Sequence, residues 1–153
     1  MRIKTQVPMA ILLILTVFSV SLFGYTLYEI LMIRWATKCI EVSVRDVSFT
    51  INSVQPCINF NLVLKNNVNT YLGLTYISID VYLNNTKVTY KSIERGYSNP
   101  VDLPVGVNTV LEFSANVTKF PGSNRPSWKF KIFIIFATRL IQQASVSRWV
   151  SYE

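Results

Sequence analysis

The chain has 153 residues, half of them apolar and 15% charged, with a net charge of +7. It contains no histidine and two cysteines, which excludes Ser-His-Asp and Cys-His catalysis, His-ligated zinc and a four-thiolate metal site. The 15 Lys and Arg residues are scattered along the sequence; a nucleic-acid partner needs them gathered with stacking aromatics, so none is expected.

Residues 1–6 form a short tail carrying Arg2 and Lys4. From Val7 to Ile33 the chain is apolar, and its one charge is Glu29. About 20 such residues cross the hydrocarbon core of a bilayer. The run therefore predicts a transmembrane helix over 7–33, with its lipid span at Pro8 to Leu27. Pro8 suits the first turn, where a missing N–H costs nothing. Tyr25, Tyr28 and Trp35 fall where aromatic rings favour the headgroup layer. Arg2 and Lys4 before the run nearly balance Arg34 and Lys38 after it, so orientation rests on the shortness of the tail. That places the N-terminus inside and the C-terminal domain extracytoplasmic, as a single-pass cell-membrane protein. A cleaved signal peptide has an apolar region of about 7–15 residues and a small-residue cleavage site. Ser19-Val20-Ser21 is a poor site and apolar residues continue past it, so a retained signal anchor is expected. Residues 34–40 form a juxtamembrane linker, with Tyr28 to Thr37 as a helical stalk or interfacial segment.

From residue 41 the period changes to two, which signals strands. Val42 and Val44, then Val47, Phe49 and Ile51, share a face, and the slip at Arg45-Asp46 implies a bulge or a bend between two short strands. Gln55-Pro56 marks a turn. Ile58, Phe60, Leu62 and Leu64 alternate cleanly with Asn59, Asn61, Val63 and Lys65. A polar loop, Asn66 to Asn69 with Gly73, leads to Ile77, Ile79, Val81 and Leu83. Asn84-Asn85 is a tight hairpin signal. Val88 and Tyr90 follow, and Arg95 to Gly106 reads as loop with at most a short strand. Val107 to Val117 alternates again, Pro121 to Asn124 breaks it, and Trp128 to Phe136 alternates with Lys129 and Lys131 outward. A last strand lies within Arg139 to Tyr152. About seven strands at this spacing predict an all-β domain over 41–153. Its expected form is an antiparallel β-sandwich of immunoglobulin/fibronectin-III type without the antibody Cys…Trp…Cys pattern.

If Glu41 to Val54 is one extended segment, its ends lie about 45 Å apart. Disulfide Cα atoms must lie within about 7 Å. Cys39 and Cys57 are therefore expected to be free, with Cys57 a small core residue. The domain carboxylates Glu41, Asp46, Asp80, Glu94, Asp102, Glu112 and Glu153 show no close pairing, and no phosphate loop or G-x-S-x-G is present. No catalytic, cofactor or metal residue is assigned, and no enzyme is expected.

At Phe60 to Asn85 the sequence FNLVLKNNVNTYLGLTYISIDVYLNN reads strand, Asn-containing loop, strand. It resembles the desiccation-related, late-embryogenesis-abundant (LEA) proteins that carry the water-stress and hypersensitive-response (WHy) domain. In that family a strand ends in Asn-Pro-Asn before a second strand and an Asn-Gly-type turn. Asn67-Val68-Asn69 stands at the Asn-Pro-Asn position, with Val68 replacing Pro, and Asn84-Asn85 at the turn. The resemblance implies a non-enzymatic sandwich linked to stress or desiccation, without a cofactor, in a family with many membrane-anchored members. Independently, Asn at 67 and 69 suits loop closure through side-chain bonds to backbone.

Asn84-Asn85-Thr86 and Asn116-Val117-Thr118 match the N-glycosylation acceptor, Asn84 in a predicted turn. Tyr71, Tyr76, Tyr82, Tyr90 and Tyr97 supply either cross-strand packing or a binding surface. The expected partners are the bilayer, through the helix, and proteins at the membrane or cell surface. The expected role is structural, protective or surface-interacting. Two alternatives are a pilin-like filament subunit, although Lys4-Thr5-Gln6-Val7 lacks the usual small residue before the apolar run, and an accessory subunit of a membrane complex.

Overall fold

The computed structural model of the chain describes residues 6–51, 55–118, 126–138 and 143–152. The break expected at Pro121 to Asn124, the start of the last strand at Arg139, and Glu153 lie outside these residues. The described chain divides into two compact units, up to Met32 and from Ile33 onward.

The helix α1 spans Gln6–Cys39, 34 residues, with Pro8 in its first turn. It is long and apolar enough to cross a bilayer. Its large side chains stand exposed, Leu12 at 68% and Phe23 at 71%. Two of its hydroxyls are satisfied within the helix. Thr16 and Thr26 each donate to the carbonyl one turn back, those of Leu12 and Leu22, at 2.8 and 2.9 Å. A polar group satisfied within its own helix can enter hydrocarbon. The helix continues through residues 34–39, so the segment leading to the first strand is helical. Ile33, just before it, and Ala36 within it are buried. Arg148 Nη2 donates to the Thr37 carbonyl at 2.8 Å. A cation on a final-turn carbonyl satisfies an acceptor that the helix leaves open and opposes its negative end.

The rest is an antiparallel β-sandwich. Its strands are β1 (Glu41–Ile51), β2 (Pro56–Lys65), β3 (Leu72–Leu83), β4 (Thr86–Glu94), β5 (Val101–Leu103), β6 (Asn108–Asn116), β7 (Trp128–Ala137) and β8 (Gln143–Tyr152). One sheet runs β1-β2-β6 and the other β4-β3-β7-β8, with β5 pairing the first residues of β3. The short β5 sits inside the segment expected to be mostly loop.

Alternation explains the core. Ile58, Phe60, Leu62 and Leu64 of β2 face Ile77, Ile79 and Val81 of β3 and Phe130, Ile132 and Ile134 of β7, all essentially inaccessible. Phe60 joins the sheets. Its ring stacks on Phe113 of its own sheet at 5.4 Å and meets Phe130 of the other at 4.9 Å. Such ring pairs add about 1 kcal/mol each beyond the area they bury.

The slip at Arg45-Asp46 is a β-bulge. The β1–β2 register shifts between Arg45 and Ser48, and Asp46 has φ 53°. The Asp46 carboxylate accepts from Asn61 Nδ2 at 2.9 Å. The Asn84-Asn85 hairpin forms as expected. Both residues have positive φ, 49° and 66°, which a two-residue turn matched to strand twist requires and Asn tolerates. Cys39 and Cys57 are free thiols. Cys57 is buried, with Sγ 3.1 Å from Ser114 Oγ.

Candidate functional site

The side chains of β3 that alternate with the core, Tyr76, Ser78, Asp80 and Tyr82, form the middle of an outward face. Register fills in the rest. Asp80 pairs with Tyr90 of β4 and Lys131 of β7, Tyr82 pairs with Lys129, and Lys131 in turn pairs with Trp149 of β8. Beside Trp149 on β8, Ser145, Ser147 and Ser151 take the same parity and are exposed. The face is therefore made of aromatic rings, lysines and hydroxyls.

Its contacts are specific. The Tyr82 and Trp149 rings lie 5.2 Å apart with a 49° tilt, and Trp149 stays 59% exposed. Lys131 Nζ sits 5.8 Å from the Trp149 ring centre, within the range where a ring face attracts a cation. Lys129 Nζ donates to Asn85 Oδ1 at 2.8 Å. Tyr82, Asn85, Lys129, Trp149 and Ser151 line an open cleft of about 370 Å³, near the lower bound of small-ligand sites.

At the β4 side, Lys87 pairs with Asp80 at 2.7 Å and lies 5.3 Å from the Tyr90 ring centre. The Asp80 carboxylate holds the Lys87 ammonium above the ordinary lysine value. The Tyr76 and Tyr90 hydroxyls meet at 3.2 Å. That bond raises the Tyr76 phenol above the usual tyrosine value. Tyr90 is lowered, by hydrogen bonds from Ser92 and then from Tyr76. Tyr76 also meets Phe133 edge-on at 6.3 Å.

Of the five tyrosines read from the sequence, Tyr76, Tyr82 and Tyr90 share this face. Tyr71 instead donates to Asp102 at 2.8 Å, at a second cleft that includes Asn69 and Val105. Tyr97 lines a shallow hollow with Tyr76 and Glu94. Trp149 was not singled out in the sequence. Its signal was its place in a period-two row of serines, which shows that it faces outward but not which ring it meets.

The loop asparagines divide the work differently from expectation. Asn67 and Asn69 are exposed, and the buried Asn66 makes the closing bonds. Its Nδ2 donates to the carbonyls of Thr70 and Leu103, both at 3.0 Å, and its Oδ1 accepts from Val68 N–H at 3.0 Å. Val68, where the resembled family has Pro, is buried. Asn84 is exposed in the β3–β4 turn, and its Oδ1 accepts from Ser127 N–H at 3.2 Å. Asn116 is exposed as the last residue of β6. Among the described residues no three of His, Cys, Asp or Glu gather where a metal ion would be held.

No protein-family model matches the sequence, and no curated protein matches it. Solved structures do share its fold. A solution structure from Arabidopsis thaliana aligns over 73% of this chain and 78% of its own, with TM-score 0.57 and 14% identity. A structural-genomics target solved by X-ray aligns over 73% and 84%, with TM-score 0.54 and 8% identity. A protein described as late embryogenesis abundant aligns over 74% and 68%, with TM-score 0.53 and 16% identity. An LEA-like protein is thus among the fold neighbours. At these identities the likeness establishes the fold.

Proposed function

We propose that this chain is a membrane-anchored, non-catalytic sandwich of the LEA/WHy type, protective in stress and acting through surface contacts. The observation that carries the reading is a helix of bilayer-spanning length and composition joined to a sandwich whose fold an LEA-like protein shares. The absence of histidine and the scattered carboxylates support a role without acid–base chemistry. The outward face supplies hydroxyl, amide and ammonium groups, which offer hydrogen bonds to neighbouring molecules when water is withdrawn. In this reading α1 crosses the membrane once and the sandwich is extracytoplasmic.

Alkaline carbonate extraction of native membranes tests the anchor. The full chain stays in the pellet, whereas a variant lacking residues 8–27 is released; recovery of the full chain in the supernatant overturns the reading. Orientation is read from a glycosidase-sensitive mass shift abolished by Asn84→Gln. Survival of drying by cells with and without the protein tests the protective role, and equal survival sinks it.

A further inference from the structure

We propose that the cleft around Tyr82 and Trp149 docks an acidic polysaccharide. This rests on the surface-contact reading above and names its partner. The two rings, 5.2 Å apart and tilted 49°, form a shallow V that is open to solvent. A pyranose has apolar C–H faces and a hydroxylated edge. The face lies against an exposed ring such as Trp149, 59% accessible, and the edge meets hydrogen-bonding groups at the rim. Asn85 and Ser151 supply those groups.

Charge fixes the kind of sugar. Lys129 and Lys131 flank the ring pair, and among the described residues neither is within ion-pair distance of a carboxylate. The nearest strand neighbour of Lys131, Asp80, is engaged by Lys87 at 2.7 Å. Lys129, bonded to the neutral Asn85 carboxamide, and Lys131, set against the Trp149 ring, keep their charge unneutralised by any described carboxylate and so complement a uronate carboxylate beside the ring platform. Other partners fit less well. Protein interface cores are depleted in Lys and Ser, yet both stand among these rings. Nucleic acid needs a row of cations that tracks the phosphates. Insertion into lipid needs apolar side chains at the contact, and the neighbours here are Ser145, Ser147 and Ser151.

The test uses the full chain in phosphatidylcholine nanodiscs, titrated with polygalacturonate, with dextran as a neutral sugar and polyglutamate as a sugar-free polyanion. Saturable binding to polygalacturonate is expected, with at least tenfold weaker binding to either control. Trp149→Ala weakens it at least tenfold, and Trp149→Phe retains most of it. Lys129→Gln with Lys131→Gln weakens it at least fivefold and flattens its salt dependence. Equal unfolding midpoints verify that the variants fold, and Trp149→Phe keeps a folded comparison if Trp149→Ala does not. No saturable binding, unchanged binding by Trp149→Ala, or equal binding to polyglutamate overturns the proposal. Carbonate extraction separates this from the reading beneath it, because a chain that stays in the pellet yet ignores polygalacturonate loses the partner and keeps the anchor.

Discussion

Asn66 donates its carboxamide N–H to the carbonyl of Leu103, 37 residues away, at 3.0 Å. One buried side chain thereby ties the end of β2 to β5. Its backbone carbonyl takes a further bond from Gly106 N–H at 2.7 Å, at a glycine whose φ of 72° favours the absence of a side chain. Replacing Asn66 with Ala strands the Val68 N–H and two carbonyls together. Buried groups left without partners cost about 1–3 kcal/mol each, with partial relaxation. Asn66→Ala should lose about 3 kcal/mol in a urea titration of the full chain in detergent. Asn67→Ala and Asn69→Ala, both exposed, should stay within about 0.5 kcal/mol.

Phe60 spans the two sheets through Phe113 and Phe130. Phe60→Ala opens a cavity that neither sheet can close and should cost about 4 kcal/mol. Phe60→Leu should cost markedly less. Midpoints in the same titration decide, and equal losses for the two variants would show that ring contact, and not the filled volume, is the source.

The β3–β4 turn gives a test of opposite sign. Asn85 has φ 66°, which Gly adopts freely and a β-branched residue resists. Asn85→Gly should be neutral or slightly stabilising, whereas Asn85→Val should cost about 2 kcal/mol. Thermal unfolding of the pair measures the difference.

Tyr90 should ionise before Tyr76. Tyr90 lies below the ordinary tyrosine value and Tyr76 above it. Ultraviolet titration should therefore lose a phenolate step below the ordinary tyrosine value in Tyr90→Phe and keep it in Tyr76→Phe, though shifted upward because one of the bonds to Tyr90 is gone. Lys87 titrates with the opposite sense. Its value is raised in the fold by Asp80, so its small contribution is complete below the ordinary lysine value and vanishes as pH climbs through the folded one. A Lys87→Met variant should differ from the parent only on the low-pH side, and barely, because exposed pairs are screened by solvent.

Much of the architecture was legible because side-chain alternation is a local property. Ile58 to Leu64, Ile77 to Leu83 and Trp128 to Phe136 each declared a strand and its inward face. Asn84-Asn85 declared its turn because two consecutive positive φ values leave few residue choices. Residues Val101 to Leu103 were obscured by flanking Pro and Gly, since their pairing is dictated by Gly73 and Leu74 across the sheet. The site was less legible for the same reason. Lys131 and Trp149 meet through the β7–β8 register, and register between strands is a tertiary choice. The loop asparagines show a further limit. Sequence shows that Asn is suited to close the loop, but burial decides which one does.

The bulge in β1 has a consequence for molecules crowded together. Among the described residues, β1 and β4 are two of the four border strands, β6 and β8 being the others, and such borders invite the same strand of a neighbour to zip on. At β1 the kink at Asp46 interrupts the row of free backbone groups. At β4, Lys87 and Lys91 stand exposed along the border, and like charges brought edge to edge repel. At these two borders the bulge and the lysines oppose strand pairing between copies.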